Sequence, residues 1–183
     1  NIPVAHIHGG ELTQGAIDDA LRHSITKLSH LHFVATEAYR RRVEQMGEAP
    51  WRVVVSGAPG LDNLRSMKFL DRKQMEADLG LSLENGALLV TYHPVTLEYE
   101  DTEWQVGQFL AALKESELPI VFTKPNADTF GSIITGMLQD FVESYPKARL
   151  VDNLGTQRYF SLMAQVSAMV GNSSSGIIEA PSL

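Results

Sequence analysis

Seven short apolar runs, each followed by a stretch of helical or turn character, most constrain what this chain can fold into. They are Pro3–Ile7, Leu31–Ala35, Arg52–Val55, Leu88–Tyr92, Ile120–Thr123, Arg149–Val151 and Ala168–Val170. They are rich in Val, Ile, Leu and Phe and mostly lack a period of two. Runs of that kind are strands buried on both faces of a parallel sheet. Between them, Ile17, Leu21, Ile25 and Leu28 recur every three or four residues and give a helix one apolar face. Ala38–Met46, stopped by Gly47, is a second helix, and Trp104–Lys114, Ile133–Val142 and Gln157–Val166 are further ones. The alternation predicts an α/β protein built from doubly wound parallel sheets.

One stretch breaks the rhythm. From Leu61 to Gly86 no strand pattern appears and the charge is mixed. Residues 71–86 read as a helical connection between two α/β domains, 1–70 and 87–183. The acidic run Glu98–Glu103 reads as a solvated loop leading into a helix. The first apolar run opens the chain without an initiator Met, and Pro181-Ser182-Leu183 stop just after a helix has begun. An internal segment of a longer protein is therefore expected.

Composition narrows the function. The net charge of −7 argues against a nucleic-acid footprint. The chain has no cysteine, so it has neither a disulfide framework nor a thiolate metal site. No apolar run reaches transmembrane length and no signal peptide opens the sequence. A cytoplasmic protein without a membrane partner is the expectation.

The chemistry-bearing residues gather at strand ends. After Ala168–Val170 comes Gly171-Asn172-Ser173-Ser174-Ser175-Gly176, and then an apolar helix start. Small residues admit a ligand close to the backbone, and a helix start offers unpaired N–H groups. This is a candidate phosphate seat, with Glu179 one turn on to take ribose hydroxyls. The alternative is an ordinary turn rich in helix caps. At the front, His6-Ile7-His8-Gly9-Gly10-Glu11 ends a strand, where open parallel sheets bind ligands. Asp18-Asp19 and Arg22-His23 follow on a helix, with Asp18 and Arg22 on one face. The group suits acid–base chemistry; taken singly, Asp18 and Arg22 would pass for a surface ion pair. His6 and His8 alone do not make a metal site, and no metal or cofactor is expected. Thr91–Thr96 and Thr123–Asp128 end two further strands, and His93 there suits a phosphate oxygen.

The pattern HIHGGE–x6–DDxxRHxITKLSHLHF, followed by SGxPxxD, YHPVT, PNAD and GNSSSGIIEAPS, resembles the hydrolysing UDP-N-acetylglucosamine 2-epimerases and the related UDP-N,N′-diacetylbacillosamine 2-epimerases. The likeness runs from His6 to Ser182 with its motifs in order. It implies the GT-B architecture of two Rossmann-like domains. It also implies a reaction: UDP leaves C1 as the C2 proton is removed, and water adds to the resulting 2-acetamidoglucal to release the free 2-epimeric sugar, as in the making of sialic-acid-type sugars. By the same likeness Asp18 matches a catalytic carboxylate and Arg22 an active-site basic residue. His93 matches a diphosphate-contacting His, Asn126 a uridine-site Asn, Ser173 and Ser174 the phosphate-binding serines, and Glu179 the ribose-binding Glu. Many relatives carry Glu where this chain has His8, which leaves proton transfer open between His8, Glu11 and Asp18. A further catalytic Asp and a nucleotide-contacting Arg of the family would precede Asn1. A full-length homo-oligomer is expected. The alternatives are a GT-B glycosyltransferase using a UDP-sugar donor and a non-catalytic UDP-sugar sensor. The identity of the sugar stays open.

Overall fold

The computed structural model describes residues 2–14, 17–93, 101–125 and 131–183. Asn126 and the second halves of the Thr91–Thr96 and Thr123–Asp128 clusters lie outside them, as does the first half of the acidic run. The chain divides into two compact units, residues 1–65 and 66–183.

The first unit is a three-stranded parallel sheet, β1 (Ala5–Ile7), β2 (Leu31–Val34) and β3 (Val53–Val55), in the order β1-β2-β3. Helices α1 (Asp18–Leu28) and α2 (Glu37–Gln45) form the crossovers. Right-handed crossovers in this strand order put both helices on one face. That face carries His6, His32 and Val53, which are register partners, together with Val34. Val43 of α2 packs on Val34 and Val53. Thr36 caps α2 by accepting from the Tyr39 N–H.

Helix α1 departs from the expectation drawn from its period. Its apolar face exists, but Ile17, Leu21, Ile25 and Leu28 are all exposed. The helix docks instead through Thr26, whose hydroxyl bonds His6 Nδ1 at 3.1 Å and the Arg22 carbonyl at 3.1 Å. The close approach is polar, so an apolar stripe does not reveal it. On the opposite face of the sheet, Ile7, Leu31 and Val54 are also exposed.

The second unit is a four-stranded parallel sheet, β4 (Leu88–Thr91), β5 (Ile120–Thr123), β6 (Ala148–Val151) and β7 (Ala168–Gly171), in the order β6-β5-β4-β7. All four residues of β4 are buried, as expected of a strand covered on both faces. Helices α5 (Thr102–Glu115) and α6 (Gly131–Ser144) pack Val106, Leu110, Leu113, Ile134, Leu138 and Phe141 against Leu88, Val90, Ile120 and Phe122. The alternate residues Leu89 and Val121 are buried too and point the other way. The right-handed return from β6 to β7 places α7 (Gly155–Met163) on that side.

Residues 66–86 belong to this second unit rather than standing apart as a connection. They follow α3 (Gly60–Ser66) and hold α4 (Arg72–Leu79), which begins with an Asp71–Gln74 capping box and ends at Gly80 in the left-handed conformation. The Arg149 guanidinium donates to the Leu79 and Gly80 carbonyls at the end of α4, and to those of Pro146 and Ala148. Arg158 reaches both carboxylate oxygens of Asp78. No helix among the described residues is long and apolar enough to cross a membrane.

Candidate active site

At the front of the first unit, β1 ends at Ile7 and the chain turns sharply. His8 sits at φ +63°, in the left-handed region that few residues other than glycine adopt. A conformation of that kind costs about 1 kcal/mol or more and persists only where the surroundings impose it. Here the His8 N–H donates to the Phe33 carbonyl at 3.0 Å, and the imidazole Nδ1 lies 2.7 Å from Glu11 Oε1. Gly10, at φ +80°, lets the turn pass directly over the Tyr39 carbonyl of α2. The Gly10 carbonyl accepts from Arg42. His8 and Glu11 are thus a hydrogen-bonded pair at the carboxyl end of a strand.

Helix α1 faces this turn. Arg22 donates to Thr13 Oγ1 at 2.9 Å and to the Glu11 carbonyl at 3.4 Å. Asp18, at the start of the helix, is exposed and free of the turn's hydrogen bonds, whereas its neighbour Asp19 accepts from the Thr13 N–H at 3.1 Å. The structure therefore gathers His8, Glu11 and Arg22 in one connected group and leaves Asp18 open to solvent beside it. His6, which the motif also contains, faces the core. Burial, reinforced by neighbouring His32 and Arg22, holds its imidazole below the usual pKa and so neutral. Behind it, Glu48 is held below the ordinary carboxylate range, chiefly by its hydrogen bond from Lys27, and also meets His32. His6 and His8 point to different partners and do not pair.

In the second unit the strand order reverses between β4 and β7. Open α/β sheets bind ligands outside the carboxyl ends of strands at such a point. Thr91 of β4 is the register partner of Gly171 of β7. Gly171 has φ +137°, and a Cβ there would run into the Thr91 carbonyl. The next residue clamps the two strand ends together: Asn172 Oδ1 accepts from the His93 N–H at 2.7 Å, and Nδ2 donates to the His93 carbonyl at 2.8 Å. His93 and Ser173–Ser174 therefore leave the same end of adjacent strands. Helix α8 (Ser175–Ile178) is a single turn, shorter than expected, so Glu179 stands at its end. Glu179 is half-buried, and its Oε2 is shielded from solvent with no protein partner.

Beside this seat lies a cavity of about 490 Å³. Thr91 and Thr123, whose hydroxyls meet at 2.6 Å, belong to its lining, with Asn153–Thr156, Tyr159 and Phe160 from the turn and helix after β6, and Ser175 from the seat itself. Lys124 and Asp152 form an ion pair between the ends of β5 and β6. The sequence reading passed over Asn153, Leu154 and Tyr159. The same strand-end rule that singled out the other loops applies after Val151, and Gly155 at φ +64° marks the turn.

The sequence model of the UDP-N-acetylglucosamine 2-epimerase family matches residues 1–183. The chain is 45% identical over 183 residues to the GDP/UDP-N,N′-diacetylbacillosamine 2-epimerase (hydrolyzing) of Campylobacter jejuni, covering 99% of this chain and 48% of that protein. It is 39% identical over 182 residues to the UDP-N,N′-diacetylbacillosamine 2-epimerase (hydrolyzing) of Legionella pneumophila, covering all of this chain and 48% of that one. The chain thus spans about half the length of these relatives. Among solved structures, the Neisseria meningitidis UDP-GlcNAc 2-epimerase bound to UDP-GlcNAc superposes with a TM-score of 0.74 at 22% identity, over 96% of this chain and 49% of that one. The fold is accordingly of the GT-B-like kind. With the family motifs seated at the ends of β1, β4 and β7 and the whole chain matched, this protein belongs to the UDP-N-acetylglucosamine 2-epimerase family.

Proposed function

We propose that this chain is the part of a hydrolysing 2-epimerase that carries the UDP seat and one side of the proton-transfer machinery. The full enzyme takes a UDP-2-acetamido sugar and water to UDP and the free 2-epimeric sugar. The two relatives described above are named for UDP-N,N′-diacetylbacillosamine, so that sugar is the first to test, with UDP-GlcNAc second. The observation that carries the reading is the switch point between β4 and β7, where Asn172 fastens His93 beside Ser173 and Ser174. His93 and the two serines serve the diphosphate, and the unpartnered Glu179 oxygen takes a ribose hydroxyl. The cavity under Tyr159 has room for the base. Asn126 belongs to the same proposed set by family likeness alone.

Removing the C2 proton needs a base, because that carbon lies next to no carbonyl. His8 is suited to it: its imidazole can take up a proton, and Glu11, hydrogen-bonded to Nδ1, fixes its orientation and stabilises the imidazolium formed. As the C–H electrons form the C1–C2 double bond, the C1–O bond breaks and UDP departs. Water then adds across that bond, its hydroxyl to C1 and a proton to C2 from the opposite face. Asp18, exposed at the start of α1, is the second proton-transfer group, and Arg22 is the basic residue of the same group. The full-length enzyme is proposed to be a cytoplasmic homo-oligomer.

The test is to incubate the full-length enzyme with UDP-sugar and no acceptor. Release of UDP with free 2-epimer supports the reading, whereas turnover that requires an acceptor makes it a glycosyltransferase. Asp18→Asn and His8→Asn should each cut turnover by about 10²–10⁴-fold with UDP affinity kept. If both variants stay active, the catalytic assignment on the first unit fails.

A further inference from the structure

We infer that Asp19 is a positioning residue that, with Thr13, braces the loop carrying Glu11 against helix α1 and so holds Arg22 and the His8–Glu11 pair in working geometry. The inference rests on the function proposed above and extends it to residues outside the motif roles.

The sequence offers two adjacent aspartates at the start of α1, and the structure separates them. Asp18 is exposed and takes no part in the hydrogen bonds of the turn. Asp19 Oδ1 accepts from the Thr13 N–H at 3.1 Å and lies 3.7 Å from Arg22 NH1, while Oδ2 lies 3.6 Å from His23 Nε2. Thr13 answers with its own side chain, whose hydroxyl accepts from Arg22 NH1 at 2.9 Å. Arg22 also donates to the Glu11 carbonyl, and Glu11 holds His8. These links join His8, Glu11, Arg22, Thr13 and Asp19 in one connected chain from the end of β1 to the first turn of α1.

Each link has a physical purpose. The Ile17 position before α1 offers no side-chain cap. Asp19 spends its carboxylate on the loop instead of on the helix's own N–H groups. The loop from Glu11 to Thr13 is in neither strand nor helix, and the described hydrogen bonds of Thr13 are those to Asp19 and from Arg22. A guanidinium held between Thr13 Oγ1 and the Asp19 carboxylate presents its remaining N–H groups in one orientation. Catalytic groups misplaced by about 1 Å lose on the order of 10²-fold in rate. Asp19 meets neither the sugar nor the proton in this account; it acts through Arg22 and Glu11.

The test uses the full-length enzyme. Asp19→Ala is expected to lower kcat about 10²-fold, with KM and UDP affinity within roughly twofold, and to speed amide hydrogen exchange at Thr13. Asp19→Asn keeps an acceptor oxygen for the Thr13 N–H and is expected to recover most of kcat. A residue needed only for folding would lower the yield of active enzyme and its melting temperature without that split and without rescue. If Asp19→Ala does not fold, Thr13→Val keeps the Thr13 N–H bond to Asp19 but removes the Arg22 bond to Thr13 Oγ1; it cuts the same connected chain at its next link and must also lower kcat. Unchanged kcat in the folded variant, or unchanged exchange at Thr13, overturns the inference. If the unaltered enzyme shows no 2-epimerase turnover, the proposed function falls, and exchange at Thr13 alone then decides whether the brace exists.

Discussion

The sharpest steric demand in the second unit is at Gly171, and Gly171→Ala measures it. The added Cβ would overlap the Thr91 carbonyl oxygen and stand 2.8 Å from its carbon. Carbon atoms in contact sit about 3.5–4.0 Å apart, so β4 and β7 would have to part by roughly 0.7 Å (3.5 − 2.8) at the least. Two further costs add to that. At φ +137° an alanine is strained by about 1–3 kcal/mol. The Asn172 N–H bond to the Thr91 carbonyl, 3.2 Å long, would be lost at about 1 kcal/mol. The total is about 2–4 kcal/mol, which in a chain of this length lowers Tm by roughly 5–15 °C. Because Asn172 also fastens His93, UDP binding should weaken with it. Circular dichroism melts and calorimetric UDP titrations read both. Gly107→Ala, in α5 with nothing within 4 Å of the new Cβ, is the control and should raise stability by about 0.4–1 kcal/mol. A Gly171→Ala variant with Tm within about 2 °C of the unaltered protein and normal UDP affinity would refute the strand-end geometry and the seat built on it.

Three other outcomes are expected. His6 has its pKa lowered in the folded state, so the unfolded chain binds the proton first; its contribution to stability is complete above pH about 6.5 and is lost as pH falls through the folded value. Urea midpoints between pH 8 and 5 should decline, and His6→Asn should flatten that slope; equal slopes contradict the burial argument. Arg149→Ala strips donors from four carbonyls, including the end of α4, and should cost about 2 kcal/mol in urea unfolding, with Arg149→Lys recovering little because an ammonium cannot span them. Glu179→Gln should weaken UDP binding by about 10–100-fold, the worth of one charge-assisted hydrogen bond, while leaving Tm unmoved; unaltered affinity would remove Glu179 from the seat.

The strands were legible because short apolar runs mark them, most plainly in β4, where Leu88 to Thr91 are all buried; in the first unit one face of the sheet is exposed instead. Their carboxyl ends therefore exposed the loops worth reading, and His8, Glu11, His93 and Ser173–Ser174 all lie on such ends. What escaped was whatever depends on polar packing. The apolar period of α1 was real, yet a hydroxyl on an imidazole, not that stripe, sets the helix against the sheet. Which of Asp18 and Asp19 turns toward the loop is a matter of about 100° of helix rotation, and a pair of identical residues carries no mark of it. Asn153 and Tyr159 were passed over because their chemistry is ordinary and only the cavity makes them neighbours. Residues 71–86 looked like a connection because they hold no strand; Arg149, 70 positions from Leu79 along the chain, holds the end of α4.

The order β6-β5-β4-β7 also fixes a sequence in time. Leu88 cannot pair with Ala168 until the intervening 80 residues (168 − 88) have left the ribosome, which takes several seconds at about 5–20 residues per second. Through that interval one edge of β4 stays open, with β5 and β6 already available on the other side. Local contacts form first and long-range parallel pairing last. Of these four strands β7 is therefore the last to join during synthesis, and with it the corner where the nucleotide seat is proposed. The nascent chain carries an exposed apolar strand edge until then, the kind of surface that chaperones hold. Substitutions in β7 or its Gly171 corner should accordingly reduce the amount of soluble protein made more than they reduce the stability of what has folded.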